Sequence, residues 1–242
     1  MRSPITTTLA PALVSLLLLT GCSTLERFEP DRDKLADSEK IVEIAVRANS
    51  VEQVVLGELY KQGLERHGRP AAINMERLGV MYNIERLRQG RADIIIACGG
   101  RMLHHINAGK ADELEKKYGA ETKVDVNSGD QREEVYQAVM GALGDNVNGT
   151  DPSNALGCSD EDSAIPQHII PIYRVPVLDR DERDALNVIS GTLSTEELEE
   201  LVEKSREGKN PSEVVSQFLD DHNVQFVNKT EEQDPLSNNT DD

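Results

Sequence analysis

Between Ile41 and Ala97 the hydrophobic period of the chain switches repeatedly between that of a strand and that of a helix, and this confines it to an α/β fold. Ile41-Val42-Glu43-Ile44-Ala45-Val46 is a β-branched run of strand length. Val51, Val54, Val55, Leu59 and Leu64 then recur at helical spacing. Asn49 or Ser50 caps that helix, with Glu52 or Gln53 three residues on. Ala71 to Leu78 alternates as a second strand, and Asn83 to Gln89 reads as a short helix. Ala92-Asp93-Ile94-Ile95-Ile96-Ala97 is an apolar run suited to a central parallel strand. Strand, helix, strand, helix, strand predicts a right-handed βαβαβ unit.

Downstream, Met102 to Tyr118 and Gln131 to Leu143 have helical patterning, and Asp145 to Ser163 is a loop rich in Asp, Asn, Gly and Ser. His168 to Tyr173 returns as a strand. Asp179 with Glu182, Ser194 with Glu197, and Asn210-Pro211 with Glu213 are start signals for three closing helices. These predict helices at Arg180 to Ile189, Thr195 to Arg206 and Pro211 to His222.

The first segment sets the expected compartment. Arg2 and the apolar stretch Leu9 to Leu19, too short for an independent membrane span, read as a signal peptide over residues 1–21. Leu19-Thr20-Gly21-Cys22 resembles a bacterial lipobox, so the mature chain is expected to begin at Cys22 with a lipid on its thiol. Residues 22–39 are polar and read as a flexible tether, 40–228 as the α/β domain, and 229–242 as a disordered acidic tail. The expected location is extracytoplasmic, anchored to the bacterial cell membrane through Cys22.

Of three cysteines, two remain after lipidation, Cys98 and Cys158. Outside the reducing cytoplasm these are expected to form a disulfide, the alternative being two buried thiols. Closing a loop of about 60 residues stabilises by about 4 kcal/mol in the chain-entropy model. Neither cysteine has a second ligand at finger-like spacing, and the adjacent His104 and His105 face different sides of a helix, so no metal site is expected.

Charge and motifs narrow the function. With 26 basic and 44 acidic residues the net charge is −18, which repels phosphate backbones and excludes nucleic acid as a partner. There is no nucleophile elbow, no His-Glu-x-x-His and no phosphate loop, so the expectation is a non-enzyme without a cofactor. The acidic helix containing Glu196, Glu197, Glu199, Glu200 and Glu203 reads as a solvated face.

Two blocks carry a family resemblance. The stretch from Lys40 to Asp93, with Asn49-Ser50-Val51-Glu52-Gln53 through Tyr60 and then Ile84-Glu85-Arg86-Leu87-Arg88-Gln89-Gly90, resembles the substrate-binding proteins of glycine betaine, choline and osmoprotectant ABC transporters. Ile170 to Leu219, through Pro171-Ile172-Tyr173, Leu193-Ser194-Thr195-Glu196-Glu197-Leu198 and Asn210-Pro211, resembles their C-terminal helices. The resemblance implies a parallel-sheet periplasmic-binding-protein lobe with flanking helices. Between the two blocks there is no room for a complete second lobe, so that lobe is expected to be reduced or absent.

The family pattern places an aromatic after the first-loop Asn and a Tyr-Pro-Glu-Tyr-Thr-Gly-Thr run after the third strand. Here Ser50 follows Asn49, and Ile95-Ile96-Ala97-Cys98-Gly99-Gly100-Arg101 occupies the second place. Each lost ring removes about 0.5–2 kcal/mol of cation–π attraction. Asn49, Ser50, Glu52, Gln53, Gly99, Gly100 and Arg101, at the expected strand ends, are the candidate contacts for a small zwitterionic or cationic solute. Capping explains the first four equally well, and a turn explains the two glycines. Two functions stand at this point. One is a lipoprotein that receives a solute and delivers it to an ABC permease. The other is an accessory or scaffold lipoprotein that uses a single lobe to contact another envelope protein.

Overall fold

A computed structural model describes residues 41–76, 84–119, 129–158 and 164–224. The segments expected as signal peptide, tether and tail, with Cys22, lie outside the described residues, as does 77–83, where the second strand was expected to end.

The elements, in order, are β1 (Val42–Arg47), α1 (Val51–Arg66), β2 (Ala71–Glu76), α2 (Ile84–Arg88), β3 (Ile94–Cys98), α3 (Gly99–Ile106), α4 (Ala108–Gly119), α5 (Gly129–Leu143), β4 (Val147–Gly149), β5 (Ile169–Arg174), α6 (Arg180–Thr192), α7 (Thr195–Arg206) and α8 (Pro211–Asp221). The strands form one sheet in the order β2-β1-β3-β5-β4. β1 pairs in parallel with β2 and β3, in the expected βαβαβ arrangement, and β5 runs antiparallel to both β3 and β4. The sheet is therefore mixed rather than wholly parallel. One strand, β5, opposes the other four, because β4 and β5 are joined as a wide hairpin by residues 150–168.

Alternation along the strands builds two cores. Val42, Ile44 and Val46 of β1 with Ile94 and Ile96 of β3 face α1, α6, α7 and α8. Ala45, Ile95 and Ala97 face the opposite layer of α2, α3, α4 and α5. Every residue of β3 is buried, as expected for a central strand covered on both faces. α1 lies close against its neighbours through two glycines. A Cβ on Gly57 would stand 2.6 Å from Val46 Cγ1, and one on Gly63 would stand 2.8 Å from Ile189 Cγ1.

At the start of the central strand β3, Asp93 ties three strands together. Its carboxylate accepts the Glu43 N–H at 3.0 Å and pairs with Arg174 at 2.8 Å. Its backbone donates to Glu43 and accepts from Arg174, both at 2.9 Å.

The three closing helices begin where their caps predict. Asp179–Glu182 and Ser194–Glu197 form complete capping boxes, and Asn210 caps α8 with Pro211 in its first turn. Three details differ from the sequence reading. The helix expected over Met102 to Tyr118 starts at Gly99 and is two helices, broken at Asn107, whose Oδ1 accepts the Lys110 N–H at 3.2 Å and so starts α4. α6 runs three residues past Ile189. The polar stretch read as loop contains β4, which is held by pairing with β5 rather than by any apolar pattern of its own.

Candidate functional site

β1 and β3 end side by side, and the chain leaves them in different directions, β1 toward β2 and β3 toward the β5 side. In an open α/β sheet this switch point leaves a crevice outside the carboxyl ends of the strands.

The first wall is the start of α1. Ser50 is its N-cap, accepting the Gln53 N–H at 3.3 Å. Gln53 is buried and turns inward, donating to the Ile96 carbonyl at 3.4 Å, which ties the helix to β3. Glu52, in the same turn, points the other way and accepts the Cys158 N–H with both carboxylate oxygens, at 3.0 and 3.2 Å.

The second wall is the start of α3. An α-helix leaves its first N–H groups without intrahelical partners. Here segment 166–168 takes three of them: Gly99 donates to the His168 carbonyl at 2.9 Å, Gly100 to the Pro166 carbonyl at 3.1 Å, and the Arg101 N–H to Gln167 Oε1 at 3.0 Å. The approach is close: a Cβ on Gly100 would meet Gln167 Nε2 at 2.8 Å and Ile165 Cβ at 3.0 Å. The Arg101 side chain is buried.

Cys98, the N-cap residue of α3, and Cys158 are joined by a disulfide, as the cysteine count predicted. The bridge fastens the excursion that follows β4 to the end of β3. Leu156 donates its N–H to Thr195 Oγ1 at 3.0 Å, which fastens the same excursion to α7.

Between this stapled excursion and α7 lies a cleft of about 560 Å³, within the range of small-molecule sites. Its floor is apolar, from Leu156, Ile165, Pro166, Leu198 and Val202, and its charged lining is Glu52, Glu199, Glu203 and Arg206. Three carboxylates against one guanidinium make the cleft net negative, and Arg206 lies 3.7 Å from Glu203. The described lining carries no aromatic ring.

Of the solute-contact candidates read from the sequence, Glu52 lines this cleft, and so does Cys158 of the disulfide. Asn49 is exposed on the β1–α1 turn, and Ser50, Gln53, Gly99, Gly100 and Arg101 make the internal contacts described above; none of these six is part of the cleft lining. The α7 contribution was missed. Leu198 and Val202, four residues apart, form the buried stripe of an amphipathic helix, and Glu199, Glu203 and Arg206 follow the same spacing on the adjoining stripe. The acidic run is mostly exposed, as expected, and Glu199 and Glu203 within it form the rim of the cleft.

No protein-family model matches the chain, and no curated protein sequence matches it. Solved structures do. The apo form of YehZ from Escherichia coli superposes with a TM-score of 0.52 at 13% identity, over 76% of this chain and 99% of that one. The chain has a periplasmic-binding-protein fold. An ABC-transporter choline-binding protein in complex with choline aligns over 78% of this chain and 91% of its own, at 11% identity and a TM-score of 0.45. A glycine betaine/carnitine/choline ABC transporter structure aligns over 76% and 99%, at 15% identity and 0.47. The described part of this chain builds a single five-stranded sheet. Among the described residues, no helix is long and apolar enough to cross a membrane.

Proposed function

We propose that this chain is an extracytoplasmic solute-binding lipoprotein, held to the membrane through Cys22, whose cleft takes a small cationic or zwitterionic solute for an ABC permease. The observation that carries the reading is the net-negative cleft at the switch point, lined by Glu52, Glu199 and Glu203 around an apolar floor. A quaternary ammonium group is apolar on its surface and charged in sum, which suits such a lining without aromatic rings. Arg206 supplies a partner for the carboxylate of a zwitterion. Recognition by carboxylates at partly solvated positions is more sensitive to salt than an aromatic cage.

The lipobox-like Leu19-Thr20-Gly21-Cys22 and the Cys98–Cys158 disulfide support the compartment. The work of such a protein is binding rather than catalysis. Calorimetric titration of the oxidised full chain with choline, glycine betaine, carnitine and proline tests the reading. Saturable binding tighter than about 100 μM, near 5.5 kcal/mol, supports it. The absence of both binding heat and thermal stabilisation at millimolar solute overturns it.

The single lobe favours a second reading. With no facing lobe in the described residues to close over the cleft, the same surface suits contact with another envelope protein. A negative titration together with a stable complex with such a protein would select it.

A further inference from the structure

We infer that reduction of the Cys98–Cys158 bridge creates a binding site for a thiophilic divalent cation, built from both sulfurs and the Glu52 carboxylate. The Sγ atoms of Cys98 and Cys158 and a carboxylate oxygen of Glu52 all lie within 4.8 Å of one another. Zinc binds thiolate at about 2.3 Å and carboxylate at about 2.0–2.2 Å, so the ligand atoms of a tetrahedral site stand roughly 3.5–3.8 Å apart. Small side-chain rotations reach that spacing once the S–S bond is gone. Glu52 and Cys158 line the cleft, so the fourth coordination position opens onto it, as in sites that exchange a ligand.

The surroundings suit the charge. Cys98 is the N-cap of α3 and Glu52 sits in the first turn of α1, so two helix N-termini face the cluster. Their partial positive charge offsets the net negative charge of a divalent cation held by two thiolates and a carboxylate. Cys158 has φ +55°, a left-handed conformation that non-glycine residues adopt where their surroundings hold them, as at ligand clamps. Its N–H on Glu52 supplies part of that hold. Sequence spacing does not reveal the site, because its third ligand comes from α1, far from either cysteine in the chain.

A dithiol supplies the electrons. Two electrons pass to the bridge, the dithiol closes to its own disulfide, and Cys98 and Cys158 each gain a proton. The cation then displaces both protons as the two metal–sulfur bonds form.

The test uses the full chain carrying Cys22→Ser, which leaves these two thiols alone. The protein is reduced with a dithiol, freed of it without air, and titrated with Co²⁺ and then Zn²⁺ against a chromophoric chelator. The expected result is one cation per reduced chain with thiolate-to-cobalt charge-transfer absorption, none per oxidised chain, and loss of binding in Cys158→Ser. Glu52→Gln and Glu52→Ala should each weaken zinc at least tenfold. A reduced chain that keeps its helical circular dichroism but binds neither cation overturns the inference, as does zinc affinity unchanged in both Glu52 variants. Should reduction unfold the chain, zinc is expected to restore the helical signal, and failure to restore it overturns the inference equally.

Discussion

Glu52 and Cys158, 106 residues apart, are joined by a shared hydrogen bond in which both carboxylate oxygens of Glu52 accept one backbone N–H. The contact links the first turn of α1 to the excursion between β4 and β5, beside the disulfide that fastens the same excursion to β3. Glu52→Ala leaves that N–H without its acceptor, at a cost of about 1–3 kcal/mol, whereas Glu52→Gln keeps an oxygen in place and loses less. Urea unfolding of the oxidised protein should show the midpoint falling in that order with an unchanged slope, and amide exchange at Cys158 should accelerate in Glu52→Ala.

The disulfide itself is expected to contribute about 2–4 kcal/mol. Cys98→Ser/Cys158→Ser should lower the urea midpoint accordingly. An unchanged midpoint would mean that Glu52 and Thr195 hold the excursion without help from the bridge.

Asp93 should be the most costly polar residue to truncate. It is largely buried, it accepts from β1, and it pairs with Arg174 of β5. Asp93→Ala strands both partners and should cost roughly 2–3 kcal/mol, taking about 1.5–3 kcal/mol for a hydrogen bond to a charged group. Equilibrium unfolding measures it, and Asp93→Asn should fall between the variant and the native chain.

A pH-dependent contact joins α7 to α8. His222 donates Nδ1–H to the Phe218 carbonyl at 2.9 Å and pairs through Nε2 with Glu197 at 2.8 Å. The Phe218 hydrogen bond, opposed by desolvation and reinforced by Glu197, raises the His222 pKa above 6.5. Partial burial of Glu197 pushes its pKa up, but the hydrogen bonds from Ser194 and His222 outweigh this and lower it below 4.5. The histidine contribution is full below pH 6.5 and is lost as pH rises through the raised value. The carboxylate contribution is full above pH 4.5 and is lost as pH falls through the lowered value. The stability difference between the native chain and His222→Gln should therefore peak between pH 4.5 and 6.5 and shrink on both sides, and added salt should weaken it.

How much of this was legible depended on whether the determining contacts were local. The capping boxes at Asp179 and Ser194 and the β1-to-β3 succession follow from residues a few positions apart, and they stand where expected. β4 escaped notice because Val147-Asn148-Gly149 becomes a strand only through β5, and the break at Asn107 because a side-chain cap overrides a continuous helical pattern. At the site, Glu52 and Cys158 were both singled out, but their contact was not visible in sequence. The α7 glutamates face solvent as their charge implies, but charge alone does not tell that Glu199 and Glu203 also border a loop. Gly99 and Gly100, expected as solute contacts or a turn, open α3, and what approaches them is segment 166–168.

The central claim, that a solute is held by carboxylates in the cleft between α7 and the stapled excursion, is tested most directly by charge reversal at exposed positions of its rim. Glu199 and Glu203 are both solvent-accessible, so Glu199→Lys/Glu203→Lys should leave the fold and unfolding midpoint nearly unchanged. Choline affinity measured by calorimetry, for the native and doubly reversed chains at low and at 0.5 M salt, is the measurement. The account predicts at least tenfold weaker binding in the reversed chain, with the native affinity falling in high salt toward that of the variant. Equal affinity in both chains would contradict it and place the solute elsewhere on the lobe.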